Sequence, residues 1–112
     1  MALQVIEVAQ RHLSAYCATV PRMSQAQQEC SSYQTELTTK HDIFFGETNP
    51  NEFVEQLEKL NTTLGEVYNL LVANGYLPAV TATGDVNWIQ TWWDLQGFVA
   101  RTPGGGAVAP GG

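Results

Sequence analysis

The sequence predicts an all-α fold: an elongated antiparallel bundle of three helices, then a short fourth helix rich in tryptophan, then a glycine-rich tail. Apolar residues recur every three or four positions over residues 2–20, 24–45 and 50–74, which is the period of a helix and not of a strand. The three apolar stripes are also in phase across the two turns that join them. We therefore assign residues 1–101 to one helical domain and residues 102–112 to a C-terminal arm.

The first two helices are predicted to meet at a turn that contains Pro21. Pro21 ends the first helix, and Ser24 stands three residues before Gln27, which is the spacing of a capping box at the start of the second. In an antiparallel hairpin one residue number rises as the other falls, so facing positions add to a nearly constant number. This rule places Cys17 opposite Cys30.

The second and third helices are joined by a turn at residues 46–50. Asn49 is predicted to cap the third helix, Pro50 suits its first turn, and Asn74-Gly75 supplies a left-handed stop. Gly65, inside this helix, either costs about 1 kcal/mol relative to Ala or permits a close helix contact. The predicted layers are Leu3 with Phe44 and Phe53, Ala9 with Leu37 and Leu60, Leu13 with Tyr33 and Leu64, Cys17 with Cys30 and Val67, and Val20 with Ala26 and Leu71.

The fourth helix, predicted from an Asp85 cap to about Ala100, has a wider apolar arc than one packing face needs. One interpretation is that it closes the bundle and buries its indoles against Tyr76 and Leu77. The other is that an aromatic face remains for a partner, since Trp is enriched at interface hot spots. The candidate partner-binding residues on the helix and the arm are Trp88, Trp92, Trp93, Phe98 and Val108.

The two cysteines share a predicted layer, so a Cys17–Cys30 disulfide is geometrically possible. We expect instead two reduced thiols packed as small apolar groups, as in a reducing compartment. A zinc site is not expected, because His12 and His41 lie too far around and along their helices to converge with the cysteines. Both histidines are expected at the surface or its boundary.

The charged residues argue against catalysis and against several partner classes. Glu52, Glu55 and Glu58 form a solvated helix face, with Lys59 placed to pair with Glu55. Eleven acidic residues against five basic give a net charge of −6, which disfavours nucleic acid. No apolar run is long enough for a membrane span, and no phosphate-binding, dinucleotide-binding or nucleophile motif occurs. No enzymatic activity, metal or cofactor is expected.

The functional hypothesis from the sequence is a non-enzymatic structural subunit of a multi-copy assembly, such as a minor capsid, collar or tail component of a virion. Its expected partners are copies of itself and a larger assembly protein, without nucleic acid or membrane. The alternative is a helical adaptor or chaperone that binds one protein through the Trp-rich helix. The charged residues within 1–13 do not fit a signal peptide, so a virion or cytoplasmic location is expected.

Overall fold

The chain folds into four helices, three long and one short. A computed structural model describes residues 2–46, 49–80 and 84–100. The helices are α1 (Ala2–Cys17), α2 (Gln25–Gly46), α3 (Pro50–Ala73) and α4 (Trp88–Asp94). The described ranges contain no strand, and none of their helices is long and apolar enough to cross a membrane. The structure measures 45 × 32 × 23 Å, and the predicted all-α architecture is confirmed.

The first turn begins earlier than the sequence predicted, because α1 is shorter. α1 ends at Cys17 and not at Val20, because the Thr19 hydroxyl donates to the Tyr16 carbonyl oxygen at 2.7 Å and closes the helix. The residue before a proline also avoids the helical region, which keeps Val20 out of α1. At the start of α2, the Ser24 Oγ accepts from the Gln27 N–H at 3.1 Å, as the capping-box spacing indicated.

The ends of α3 follow the local sequence. The Asn49 side chain accepts from the backbone N–H of Asn51 at 2.9 Å, with Pro50 in the first turn. At the other end Gly75 adopts a positive φ of 80°, and the Tyr76 N–H donates to the Leu71 carbonyl oxygen at 2.8 Å. This bond across the left-handed glycine terminates the helix in a Schellman-type turn.

The core lies where α1, α2 and α3 face one another. The rings of Phe44 and Phe53 meet edge to face with centroids 5.3 Å apart, as expected for one layer of an antiparallel pair. α4 packs on α1 and α3 and makes no contact with α2. The buried apolar residues are Val5, Ile6, Val8, Ala9, Leu13, Tyr16, Cys30, Leu37, Phe44, Leu60, Leu64, Val67, Tyr68, Leu71, Tyr76, Leu77 and Trp92.

The predicted bounds of the fourth helix are wrong at both ends. Its cap is Asn87, whose side chain accepts from the Gln90 N–H at 3.1 Å, and not Asp85. The helix ends at Asp94, and the Phe98 N–H then donates to the Leu95 carbonyl oxygen in a tighter turn. Gly97, inside the predicted helix, has low helix propensity and favours this early end.

The two cysteines are paired. Cys17 and Cys30 form a disulfide between the end of α1 and the first turns of α2, with Cα atoms 5.7 Å apart. The predicted shared layer is therefore correct, and the expectation of two reduced thiols is wrong for this structure. The disulfide links α1 to α2 close to the turn that joins them.

Candidate interaction surfaces

α4 is fixed to α3 by the side chain of Asn61, which no sequence pattern singled out for this role. The Asn61 amide oxygen accepts from the Trp88 N–H at 2.8 Å, and the Asn61 amide nitrogen donates to the Val86 carbonyl oxygen at 3.5 Å. One helical turn further along α3, the Trp88 indole lies over Gly65, where a Cβ would fall 2.7 Å from the indole Cδ1. Asn61 and Gly65 thus position the start of α4.

Trp92 is enclosed by the bundle and is not presented to a partner. Its side chain has no solvent exposure, and its Nε1–H donates to the Leu64 carbonyl oxygen at 3.0 Å. The His12 ring lies 5.6 Å and the Tyr68 ring 5.5 Å from the indole, both edge to face. The prediction that Trp92 binds a partner therefore does not hold in this structure, where its indole is part of the core.

The other candidate residues of the fourth helix and the arm have different positions. Trp88 and Trp93 are half-buried, and the Trp88 ring lies 5.2 Å from that of Tyr68. Phe98 is half-buried and stacks on His12 at 6.2 Å. Partner binding by these three residues stays a prediction. Val108 lies outside the described residues.

His12 is buried, contrary to the expectation that both histidines lie at the surface or its boundary. It is 1% exposed, because Trp92 and the segment that follows α4 cover it. His41 lies partly exposed on α2, where its Nε2 is 3.1 Å from a carboxylate oxygen of Glu7. His12 lies at helical spacing from Val8 and Tyr16, which are buried with it, whereas the residues that cover its ring are 80 or more positions away.

Three exposed apolar side chains lie at the end of the bundle where α2 meets α3. Phe45 is 78% exposed, Val54 57% and Phe53 37%. We refer to Phe45, Phe53 and Val54 as the apolar end. Phe45 lies about 100° around α2 from the buried Phe44, whose ring packs on Phe53, so Phe45 points away from the α2–α3 contact.

The antiparallel arrangement places Phe45 and Val54 on the same side of the α2–α3 hairpin. Phe44 and Phe53 face each other, so the next residue on each helix is turned by about 100° from the contact. Because the two helices run in opposite directions, the two rotations have opposite senses when seen along the bundle. Phe45 and Val54 therefore project to one side of the hairpin.

The apolar end is surrounded by acidic residues. Asp42 on α2 and Glu52 on α3 are exposed within three residues of it in sequence. Glu55 is also exposed, and its Oε1 forms an ion pair with the Lys59 Nζ at 3.6 Å, as the spacing predicted. Such exposed pairs contribute little to stability. The net charge at this end is negative.

The opposite end of the bundle, at the α1–α2 turn, has a different character. Met23 is 93% exposed and adopts a positive φ of 62° beside Arg22. The sequence contains no acidic residue over residues 13–28 or 67–80, which supply this end. We refer to Pro21, Arg22 and Met23 as the turn end. The two ends therefore differ in charge: acidic residues flank the apolar end, whereas Arg22 lies at the turn end and the nearest acidic residue along α2 is Glu29.

Burial also affects the tyrosines of the core. It raises the pKa of Tyr68, whose O–H donates to the Pro78 carbonyl oxygen at 2.8 Å. Burial, with the nearby Glu29 and Tyr76, raises the pKa of Tyr16. These shifts keep the phenols neutral and do not suit them to act as bases near pH 7.

The described ranges hold no group of three or more His, Cys, Asp or Glu side chains that could bind a metal ion. Comparison with protein-family models, curated proteins and solved structures found no match to the chain.

Proposed function

We propose that the protein is a non-enzymatic structural subunit of a multi-copy assembly, in which copies stack head to tail. In this arrangement the apolar end of one copy docks on the turn end of the next. The single observation that carries the proposal is that exposed apolar side chains lie at both ends of the bundle, within local charges of opposite sign.

The apolar groups provide the contact area for this docking. Phe45 and Val54 at one end and Met23 at the other are all more than half exposed. Burying such a side chain fully is worth roughly 1.5–3 kcal/mol. An adaptable Met against a Phe ring is also a favourable sulfur–aromatic contact.

The charges favour contact between unlike ends. If two apolar ends met, Asp42, Glu52 and Glu55 of both copies would come together and repel one another. At the turn end Arg22 meets no such repulsion and can pair with these carboxylates. A contact between two different patches generates either a closed ring or an open filament. A capsid, collar or tail part of a virion is the finer form of this proposal, and a larger assembly protein would then bind the stack.

Sedimentation of the purified chain over a range of concentrations tests the proposal. We expect association that rises with concentration and weakens when the salt is raised from about 0.05 to about 0.5 M, since the Debye screening length falls to a few Å. Phe45→Ser and Met23→Ser should each raise the dissociation constant about tenfold or more. Arg22→Glu should abolish association while leaving the fold intact.

Val99→Ser is the matched control, because Val99 is an equally exposed apolar residue (77%) that belongs to neither end. It should leave the association unchanged. A chain that stays monomeric at every concentration and salt would overturn the proposal and favour the adaptor alternative. Association that Val99→Ser weakens as much as Phe45→Ser does would overturn the assignment of the two ends.

A further inference from the structure

The segment that follows α4 is held on α1 by two neighbouring side chains. We refer to residues 95–100 as the C-terminal strap. The Arg11 guanidinium donates to the Gln96 carbonyl oxygen at 3.2 Å, and the His12 Nε2 lies 3.0 Å from the Phe98 carbonyl oxygen. Both contacts join side chains of α1 to the backbone of the strap, across more than 80 residues of sequence.

Each of the two ring nitrogens of His12 lies next to a backbone carbonyl oxygen. Besides the contact to Phe98, its Nδ1 lies 3.0 Å from the Val8 carbonyl oxygen. A carbonyl oxygen only accepts hydrogen bonds, whereas a neutral imidazole carries one N–H and one lone pair. In the neutral ring one nitrogen therefore directs its lone pair at an oxygen 3.0 Å away. The protonated ring donates to both carbonyl oxygens.

Aromatic rings enclose the imidazole, which stacks on Phe98 at 6.2 Å and meets Trp92 edge to face at 5.6 Å. His12 is 1% exposed, so water does not solvate the protonated ring. The carbonyl oxygens of Val8 and Phe98 are therefore the groups that compensate its charge.

We propose that His12 is a proton-dependent clasp, which fastens the C-terminal strap to α1 when the imidazole is protonated and loosens it when the imidazole is neutral. The clasp controls the attachment of residues 95–100 to α1. It does not depend on the proposed head-to-tail assembly, because the strap belongs to neither the apolar end nor the turn end.

The charged groups around the clasp come from three elements. On α1, Arg11 is a like charge, but its side chain is exposed and therefore screened by water and salt. On α3, Tyr68 faces His12 through Trp92, and its raised pKa keeps it neutral. On α4, Asp94 accepts from Gln90 at 2.8 Å on the exposed side. The strap itself contributes no charged residue.

Amide hydrogen exchange of the full chain tests the clasp directly. The N–H groups of Leu95 and Gln96 donate to the Trp92 and Trp93 carbonyl oxygens at the end of α4, and that of Phe98 donates to the Leu95 carbonyl oxygen. Loosening of the strap from α1 exposes these bonds to opening, so the protection of the three N–H groups reports on its attachment. After correction for the intrinsic effect of pH, we expect them to exchange about fivefold or more slowly at about pH 5.5 than at about pH 7.5. The ring-nitrogen chemical shifts of His12 should show both nitrogens protonated at the lower pH.

Two variants separate the clasp from general effects of pH. His41→Gln removes the other histidine and should keep the full pH effect on the strap. His12→Phe retains a ring between Trp92 and Phe98 but no ring nitrogen, and should abolish the effect. Equal strap protection at the two pH values in the wild type would overturn the proposal. So would a neutral His12 ring at about pH 5.5, which is measured on the wild type and does not require the variant to fold.

Discussion

At the scale of single residues, Gly65 determines where α4 sits. The sequence allowed two roles for it, a cost in helix stability or a close contact, and the Trp88 indole occupies the space above it. Because residue 65 of α3 has no side chain, the aromatic ring of Trp88 on α4 can occupy the space beside it. No local pattern connects two residues that lie 23 positions apart.

Gly65→Ala is expected to destabilise the protein by about 1–3 kcal/mol, although alanine is the better helix former. The new methyl group would overlap the indole of Trp88 and push it off α3. Urea unfolding measures the change.

Two control variants accompany Gly65→Ala. Gly46→Ala should not lower the free energy of unfolding as Gly65→Ala does, because nothing lies within 4 Å of a Cβ at position 46. In a Trp88→Ala background the effect of Gly65→Ala should reverse to a small gain. A loss of the same size in that background would show that Trp88 is not the cause.

Tyr68 links burial to the alkaline stability of the protein. Burial raises the pKa of Tyr68 above its ordinary value of 10.0, so the folded state holds the phenolic proton more tightly than the unfolded chain. The resulting stabilisation is complete below pH 10.0 and is lost as the pH rises through the folded-state pKa. We expect the free energy of unfolding to fall above pH 10.0, as measured by denaturant unfolding at a series of pH values.

Tyr68→Phe is the control for this pH dependence. It removes the hydrogen bond to the Pro78 carbonyl oxygen, so it should cost about 1 kcal/mol at neutral pH. Above pH 10.0 it should lose less stability than the wild type, because it has one fewer phenol to ionise. An alkaline decline of the same steepness in both proteins would contradict the role of Tyr68.

At the scale of helices, the caps explain which boundaries the sequence could predict. Asn49 and Gly75 act on their own helix within a few residues, so pattern and propensity suffice for α3. At α4 both Asp85 and Asn87 are good caps, and the choice between them depends on Asn61, which holds the Trp88 N–H from another helix. Boundaries set by tertiary contacts were therefore not predictable from the local sequence.

The candidate surfaces were predicted less well than the fold. The tryptophans drew attention because of their type, yet Trp92 is in the core. Phe45 is exposed beside the buried Phe44, but adjacency alone did not predict this, since the adjacent residues Val5 and Ile6 are both buried. The apolar stripe of Val5, Val8 and Tyr16 indicates the buried side of α1 on which His12 lies, but the strap that covers the ring is distant in sequence and was not predictable.

The disulfide that joins α1 and α2 predicts a clear effect of reduction. It closes a loop with a sequence separation of 13 residues, for which the loss of unfolded-state entropy is worth about 3 kcal/mol. Reduction with dithiothreitol should lower the free energy of unfolding by about that amount, measured in urea.

The double variant Cys17→Ser/Cys30→Ser tests whether this loss comes from the disulfide. It should resemble the reduced protein and should not respond to dithiothreitol. Identical unfolding curves for the oxidised and fully reduced protein, with the thiols titrated to confirm reduction, would show that the bond does not stabilise the fold.

At the scale of the whole molecule, the bundle is an elongated body with chemically different ends. The apolar end has exposed aromatic residues with acidic residues close by, and the turn end has an exposed methionine beside an arginine. The three long helices separate these ends by the length of α2, about 33 Å at 1.5 Å per residue. Copies of such a bundle can stack along its long axis, because each copy binds one neighbour through one end and leaves the other end free for the next copy.

The central claim is that the apolar end of one copy meets the turn end of another, and cross-linking between copies tests it most directly. A photoreactive phenylalanine analogue is placed at position 45, and this protein is mixed with an isotope-labelled copy of the wild type. We expect adducts that join position 45 of one copy to residues 21–23 of a copy of the other mass. Adducts confined to single molecules, or cross-links from position 45 to position 45 of another copy, would contradict it.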